Sequence, residues 1–189
     1  MNTSDHAERR LHLFATTSYH EANPGHHFQM SIEMEHADLP AIRRFGGLLV
    51  GSAFVEGWGL YSERLADELG LYADDYERLG MLSAQAWRAA RLVVDTGIHA
   101  MGWDRDRAVD YLDRATGGPR LNSEVEVDRY VAWPGQALAY KIGQREIQAM
   151  RREAERAPGF VLRAFHDRLL ALGALPLPAL RREVAADTG

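Results

Sequence analysis

The chain has 189 residues, 46% of them hydrophobic and 26% charged, with a net charge of −5 and no cysteine. This composition is that of an ordinary globular protein with one sizeable core. The acidic balance argues against a nucleic-acid-binding protein, which usually carries a basic face. The lack of cysteine excludes disulfides and thiolate metal sites, so any metal is held by His, Asp or Glu.

The start of the chain and its apolar runs bear on its location. Residues 1–10, MNTSDHAERR, lack the apolar stretch of a secretory signal, and no apolar run reaches the roughly 20 residues of a membrane span. The sequence therefore predicts a cytoplasmic protein that binds neither nucleic acid nor membrane.

Residues that favour helices dominate the chain, and alternating strand-like segments are scarce. We predict one all-α, multi-helix domain over residues 1–189. The segment LHLFATTSYHE, residues 11–21, is rich in β-branched and aromatic residues, so a short edge strand is possible there. A helix is the preferred prediction, because a metal-ligand His followed by a Glu is usually presented on a helix.

Two long helices are predicted next. Residues 50–69 form the first, which ends at Gly70, and residues 74–101 form the second. In the second helix, a set of apolar residues follows a repeat close to 3.6 and predicts one buried stripe. Its members are Leu79, Leu82, Ala86, Ala90, Val93 and Met101.

Further helices are predicted over about 104–115, 122–133, 134–156 and 160–172, and from about 178. Asp104 is the expected N-cap of the first of these, and Asn122 or Ser123 that of the next. Pro134 is expected in the first turn of the helix that follows it.

The segment YHEANPGHHFQ, residues 19–29, suggests a metal site. In the helical HExxH pattern two histidines one turn apart hold zinc, and the Glu beside the first acts on water. His20 and Glu21 supply the first half, but Pro24 stands where the second His is expected. On an unbroken helix His20 and His26 diverge by roughly 120°, and His27 lies about 10 Å further along the axis.

The Pro24-Gly25 pair offers a way around this obstacle. Pro breaks the helical hydrogen bonds, and Gly adopts backbone conformations that are costly for other residues. A kink there is predicted to bring His26 beside His20, with His27 as the alternative second ligand. The competing interpretation is a His-rich surface turn without a metal.

A second segment, VEGWGLYSE at residues 55–63, supports the metal site. It resembles the third-ligand helix of the aminopeptidase-type gluzincins, approximately NEGFAxYxE, and that resemblance implies Glu56 as a ligand. Glu63, two turns on, is expected to be a supporting carboxylate. Gly57 and Gly59 weaken a helix, which makes sense if another backbone or a substrate comes close.

Five blocks of the chain resemble the DUF885 proteins, a bacterial family of zincin-like, gluzincin-type metallopeptidase character. The blocks are HEANPGHHFQ at 20–29, EGWGLYSERLADELG at 56–70, RLVVDTGIHAMGW at 91–103, EVDRYVAWPGQALAYKIG at 126–143 and FHDRLLALGALPLPAL at 165–180. The resemblance implies a helical gluzincin-type fold and a zinc-dependent peptidase.

Members of this family are usually longer, with a large helical portion ahead of the first block. The chain therefore resembles the C-terminal catalytic portion alone. The substrate cleft is then expected to lack a wall, to be completed by a partner chain or a second copy, or to serve a smaller substrate. Of the oligomeric states, a homodimer is favoured.

The fourth block offers further candidates. Tyr140, and after it Tyr130, are candidate donors to an oxyanion. Arg129 is a candidate anchor for a substrate carboxylate, and Gln136 a second substrate-binding residue. The alternative for each is a structural role at helix ends.

The sequence thus predicts a zinc-dependent hydrolase of peptide or other amide bonds, with metal ligands His20, His26 and Glu56 and with Glu21 as general base. One alternative is a non-catalytic module that keeps the metal. The other is a non-hydrolytic, metal-dependent biosynthetic enzyme, since two His and one carboxylate also bind iron.

Overall fold

The computed structural model describes residues 10–45, 47 and 52–186. These residues form α-helices and one 3₁₀ helix, and none of them forms a strand. The α-helices are α1 His12–Glu21, α2 His26–Glu35, α3 Ala41–Arg44, α4 Ala53–Glu68, α5 Asp75–Met101, α6 Arg105–Thr116, α7 Arg120–Ala132, α8 Ala139–Ala154, α9 Leu162–Ala171 and α10 Leu177–Ala186, and the 3₁₀ helix is Gln136–Leu138.

The predicted all-α, multi-helix domain is confirmed, and several helix ends fall where local signals place them. The side chains of Asp74 and Asp104 cap α5 and α6 by accepting hydrogen bonds from backbone N–H groups three residues on. Gly70 follows α4 with a positive φ of 69°, which suits a residue without a Cβ. Residues 50 and 51 of the predicted helix 50–69 lie outside the described residues.

The preferred helix at residues 11–21 is confirmed over the edge-strand alternative, because the segment forms helix α1, which packs against α4 and α5. Two other local predictions are wrong. Helix α7 begins at Arg120 rather than at Asn122 or Ser123, because Pro119 has the φ of −60° that leads directly into a helix. Pro134 lies in a turn before the 3₁₀ helix instead of in the first turn of α8.

The predicted stripe on α5 is also wrong, because only its Ala90 is buried. The other five members are exposed, Met101 the most at 67%. The buried face carries smaller residues, among them Gly80, where an added Cβ would lie 1.7 Å from the carbonyl oxygen of His12. Helix α5 is apolar on more than one face, and the face with the smaller residues lets α1 approach closely.

The core has two main parts. The first lies between α4, α8, α9 and α10 and includes the fully buried Trp58, Tyr61 and Leu169. The second lies between α5, α6, α7 and the 3₁₀ helix. Helix α4 lies along α8 and also contacts α1, α2 and α5, so it is central to the site described below.

Two glycines bring α4 and α8 into close contact. A Cβ on Gly57 would lie 2.5 Å from the Gly143 backbone, and a Cβ on Gly143 would lie 1.8 Å from the carbonyl oxygen of Ala53. The expectation that another backbone comes close to Gly57 is confirmed. Either position therefore excludes any larger residue without a shift of the helices.

One polar chain crosses the edge of the first core. Arg151 donates to the Tyr61 hydroxyl at 3.0 Å, and that hydroxyl lies 2.7 Å from His166 Nε2. Burial, together with the nearby charge of Arg151, lowers the pKa of His166 to about 4. His166 is therefore neutral at pH 7 and accepts the hydrogen bond from Tyr61.

Among the described residues, no helix has both the length and the apolar character that crossing a membrane requires.

Candidate metal centre

The Pro-Gly segment separates two helices that carry the candidate histidines. Helix α1 ends at Glu21, one residue after His20, and α2 begins at His26. The Asn23–Pro24 peptide bond between them is cis. The segment is held against α4, where Trp58 Nε1 donates to the Pro24 carbonyl at 2.8 Å and Ser62 donates to the Tyr19 carbonyl at 3.0 Å.

Gly25 is needed in this turn because the backbone of α1 comes very close to it, which agrees with the prediction that a residue with a Cβ is costly here. Its φ of −78° lies outside the left-handed region. A Cβ on Gly25, however, would lie 1.9 Å from the His20 carbonyl oxygen and 2.4 Å from that of Tyr19. The turn is so tight that the start of α2 touches the end of α1, and only a hydrogen atom fits between them.

This turn brings His20 and His26 together with Glu56 from the first turns of α4. One donor atom from each of the three residues lies within 4.8 Å of the other two. Glu56 Oε2 is 3.7 Å from His20 Nε2 and 3.5 Å from His26 Nε2. The two imidazole rings are nearly perpendicular, with centroids 4.6 Å apart. His27 is exposed and lies outside this group.

Glu63 fixes the orientation of the His20 ring. Its carboxylate is fully buried and lies 2.8 Å from His20 Nδ1, so the ring presents Nε2 to Glu56. A carboxylate on the far nitrogen of a histidine is the usual support for a metal-binding imidazole. The sequence-based expectation of a supporting role for Glu63 agrees with this contact.

Gly59 provides the space for both rings. It lies one turn after Glu56, and a Cβ on it would be 2.7 Å from His26 Cε1 and 2.8 Å from His20 Nε2. These distances are shorter than any ordinary contact. The absence of a side chain at residue 59 therefore makes a recess on α4 that the imidazoles of His20 and His26 enter.

The electrostatics of the group favour a charged carboxylate. Burial alone would raise the pKa of Glu56, but hydrogen bonding to His20, His26 and Tyr140 outweighs it and lowers the pKa to about 2. Burial likewise lowers the pKa of His20, and the bonds to Glu56 and Glu63 outweigh it, so the pKa of His20 is raised. Glu56 is therefore ionised at neutral pH, as a carboxylate ligand of a metal must be.

The donor set fits zinc. Two nitrogen ligands and one carboxylate are a usual zinc set, and two ligands at 2.0–2.1 Å from a tetrahedral ion lie about 3.4 Å apart. The measured separations of 3.5 and 3.7 Å between Glu56 Oε2 and the two Nε2 atoms are close to this value. The remaining nitrogen of His26, Nδ1, is buried and has no hydrogen-bond partner among the described residues.

The three residues lie at a cleft of about 1050 Å³. Glu21 and Tyr140 line the same cleft, Glu21 with an exposed side chain. The walls are mainly apolar, with Met30 and Met34 from α2 and Val55 from α4. The cleft is large enough for a short peptide-like molecule.

The other predicted site residues lie outside the group formed by His20, His26 and Glu56, which is called the metal group below. Tyr130 is buried, and its hydroxyl donates to Glu126 at 2.7 Å. Arg129 donates to Glu126 at 2.8 Å and to Gln136 at 2.6 Å. Of these residues Gln136 lines the cleft, whereas Tyr130 and Arg129 do not.

Two arginines of α5, which sequence analysis does not single out, also line the cleft. Arg88 and Arg91 lie one turn apart, and both flank the Tyr140 ring. The spacing of the two arginines within WRAAR indicates that they share a helix face, because residues three apart do so. Their contact with Tyr140 could not be predicted from α5 alone, since Tyr140 is about 50 residues away in the chain.

The fold and the site define an all-α protein with a His-His-Glu group at an open cleft. The chain belongs to the family described as "Bacterial protein of unknown function (DUF885)", which matches residues 1–184. The predicted membership in this family is thus confirmed. None of the curated proteins matches the chain.

Two solved structures are similar to the chain. One is described as "putative lipoprotein from Colwellia psychrerythraea", with 42% identity, a TM-score of 0.94, and coverage of 100% of this chain and 32% of that one. The other, "a putative lipoprotein of unknown function from Shewanella oneidensis", has 26% identity and a TM-score of 0.80 over 88% of this chain and 30% of that one. The chain thus spans about a third of the length of these relatives.

Proposed function

We propose that the chain is a zinc-dependent hydrolase of peptide or other amide bonds, with a metal centre of the gluzincin type. The proposal rests chiefly on the three donor atoms of His20, His26 and Glu56, which lie within 4.8 Å of one another at the cleft. Zinc held by these residues would supply Lewis-acid polarisation of a carbonyl and would make a water molecule acidic near neutral pH.

Glu21 is the general base in this proposal. It directly follows His20 in the chain and lines the cleft with an exposed side chain, so it can reach a water molecule beside the metal group. It would accept the proton of the attacking water and deliver it to the leaving amine. A site that holds a metal for structure alone has no need of such a carboxylate.

Tyr140 is the candidate oxyanion donor. It is among the groups that lower the pKa of Glu56, and its ring is roughly parallel to the His20 ring, with centroids 6.3 Å apart. It also lines the cleft, so it can donate to the negative oxygen that develops on the attacked carbonyl. The cleft positions of Glu21 and Tyr140 give the two partners that water attack on an amide requires.

A metal analysis combined with a cleavage assay tests the proposal. We expect about one zinc per chain in protein purified without added metal, and loss of zinc in His20→Ala and Glu56→Ala. We expect Glu21→Gln to keep its zinc but to cleave a peptide library about 10²- to 10⁴-fold more slowly, the usual contribution of a general base. Glu35→Gln, an exposed Glu at the end of α2, is the matched control and should behave like the parent.

Each alternative outcome has a defined meaning. Full zinc occupancy in both ligand variants would refute the assignment of the metal centre. Zinc binding without cleavage of any library member would favour the non-catalytic module, and iron in place of zinc would favour the biosynthetic enzyme.

The cytoplasmic location and the homodimer or partner chain stay predictions, and the similar solved structures are described as putative lipoproteins.

A further inference from the structure

A cationic patch lies in the cleft, apart from the metal group. Arg88 and Arg91 project from successive turns of α5, and both line the cleft. Arg91 is only 7% exposed, which is rare for an arginine unless its charge has a partner. The patch is therefore a built feature rather than a pair of surface side chains.

The guanidinium of Arg91 is held in place but not saturated. Its Nε donates to the Tyr130 hydroxyl at 2.9 Å, and its Nη2 donates to Glu126 at 3.0 Å. Its Nη1 is buried and has no hydrogen-bond partner among the described residues. The same is true of Nε of Arg88. A buried N–H without an acceptor is costly, so each guanidinium would be stabilised by a ligand oxygen that reaches it after a small shift of the arginine side chain.

The charges nearby leave the patch positive. Glu126 is shared between Arg91 and Arg129, so two cations face one carboxylate. Arg88 lies 3.7 Å from Glu63, whose carboxylate is already bonded to His20. Three arginines thus share two carboxylates, which leaves a net positive charge for an anion that enters the cleft. A planar carboxylate matches a guanidinium well.

The patch and the metal group are separated by one aromatic ring. The Arg91 guanidinium carbon lies 4.5 Å from the Tyr140 ring centre, and that ring centre lies 6.3 Å from the His20 ring. Together these distances correspond to at most about three extended residues, each about 3.3–3.6 Å long. A carboxylate bound at Arg91 is thus at most about three residues from a carbonyl beside His20.

We propose that Arg88 and Arg91 form a subsite for the free carboxylate of the substrate, so that the chain acts on short peptides or N-acyl amino acids close to their C-terminus. This inference deepens the proposed hydrolase function and rests on it for the bond that is cut. Arg129, the carboxylate anchor predicted from sequence, does not line the cleft, whereas Arg88 and Arg91 do.

A binding experiment tests the subsite without relying on turnover. N-acetyl-leucyl-leucine and its C-terminal carboxamide are titrated calorimetrically into Glu21→Gln protein, with and without zinc. We expect the free acid to bind about 10-fold more tightly or better, as a charge-assisted hydrogen bond implies. Arg88→Gln and Arg91→Gln should reduce that preference to about twofold or less, whereas Arg105→Gln, which removes an exposed arginine paired with Asp128, should leave it intact.

Equal binding of acid and carboxamide would overturn the subsite, as would binding of neither, or a preference that survives in both cleft variants. If Arg91→Gln fails to fold because Glu126 and Tyr130 lose their partner, Arg88→Gln decides alone. Acid-selective binding with no cleavage would refute the hydrolase and leave the subsite standing. Cleavage with equal kcat/KM for acid and carboxamide would refute the subsite and leave the hydrolase standing.

Discussion

The recess at Gly59 leads to a prediction in which zinc affinity and folding stability respond differently. A Cβ introduced by Gly59→Ala would lie 2.7–2.8 Å from the rings of His20 and His26. An ordinary contact begins near 3.4 Å, so each ring must retreat by about 0.6–0.7 Å. Metal–ligand distances tolerate only about 0.2 Å, so this retreat removes the rings from their binding positions.

We expect Gly59→Ala to lower zinc affinity by about 10- to 100-fold, which corresponds to about 1.4–2.7 kcal/mol. The helix itself gains, because Ala is favoured over Gly in a helix interior by about 1 kcal/mol. The metal-free protein should therefore stay folded, while the rise in Tm on adding zinc should shrink. Competition against a chromophoric chelator measures the affinity, and thermal unfolding with and without zinc measures the stability.

Two other glycines serve as controls. Gly57→Ala places a Cβ 2.5 Å from the α8 backbone and should lower the Tm of the metal-free protein, the reverse of the expected result for Gly59→Ala. Gly118→Ala, with nothing closer than 3.7 Å, should change neither property. Parent-like zinc affinity in Gly59→Ala would refute the idea that the two imidazoles hold the metal inside this recess.

Three further predictions concern the turn, the supporting carboxylate and pH. Gly25→Val should weaken zinc by a few kcal/mol with little change in helical circular dichroism, since its Cβ would meet the His20 carbonyl at 1.9 Å; normal affinity would contradict the close approach. Glu63→Gln should lower zinc affinity about 10- to 100-fold in the same chelator assay, because it weakens the hold on the His20 ring. Folding lowers the pKa of His166 from its ordinary value of 6.5 to about 4. Between pH 6.5 and pH 4, His166 is therefore protonated in the unfolded chain but neutral in the folded protein. The free energy of unfolding should therefore drop as the pH falls from 6.5 to 4, by about 1–2 kcal/mol after discounting for solvent screening. Urea unfolding at pH 6.5 and at pH 4 measures this drop, which should be smaller in His166→Gln.

The helix ends and part of the site could be predicted because their causes are local. Asp74 and Asp104 cap the helices that follow them, and Gly70 ends the one before it, through interactions within a few residues. The joining of His20 to His26 followed from the Pro-Gly break, in which Gly25 leaves the space that the close approach of α1 requires.

Long-range packing limited the rest. Periodicity on α5 identified a stripe of large apolar residues, but the face that α1 covers is the one where Gly80 admits the His12 backbone. The same limit applies to Arg88 and Arg91, because their significance depends on Tyr140, which α8 brings between them and the metal group. No pattern within α5 indicates which helix will face it.

The close crossing of α4 and α8 has a mechanical consequence for the cleft. Gly57 follows the ligand Glu56, and Gly143 lies one turn after Tyr140, so the backbone contact between these glycines also sets the separation of Glu56 and Tyr140. Two backbones in direct contact have no side chains between them that could rearrange, so this pair can neither slide nor roll without breaking contact. The part of the cleft formed by α4 and α8 is therefore expected to keep its shape when a substrate binds, and movement is expected in other lining elements, such as α2 with Met30 and Met34.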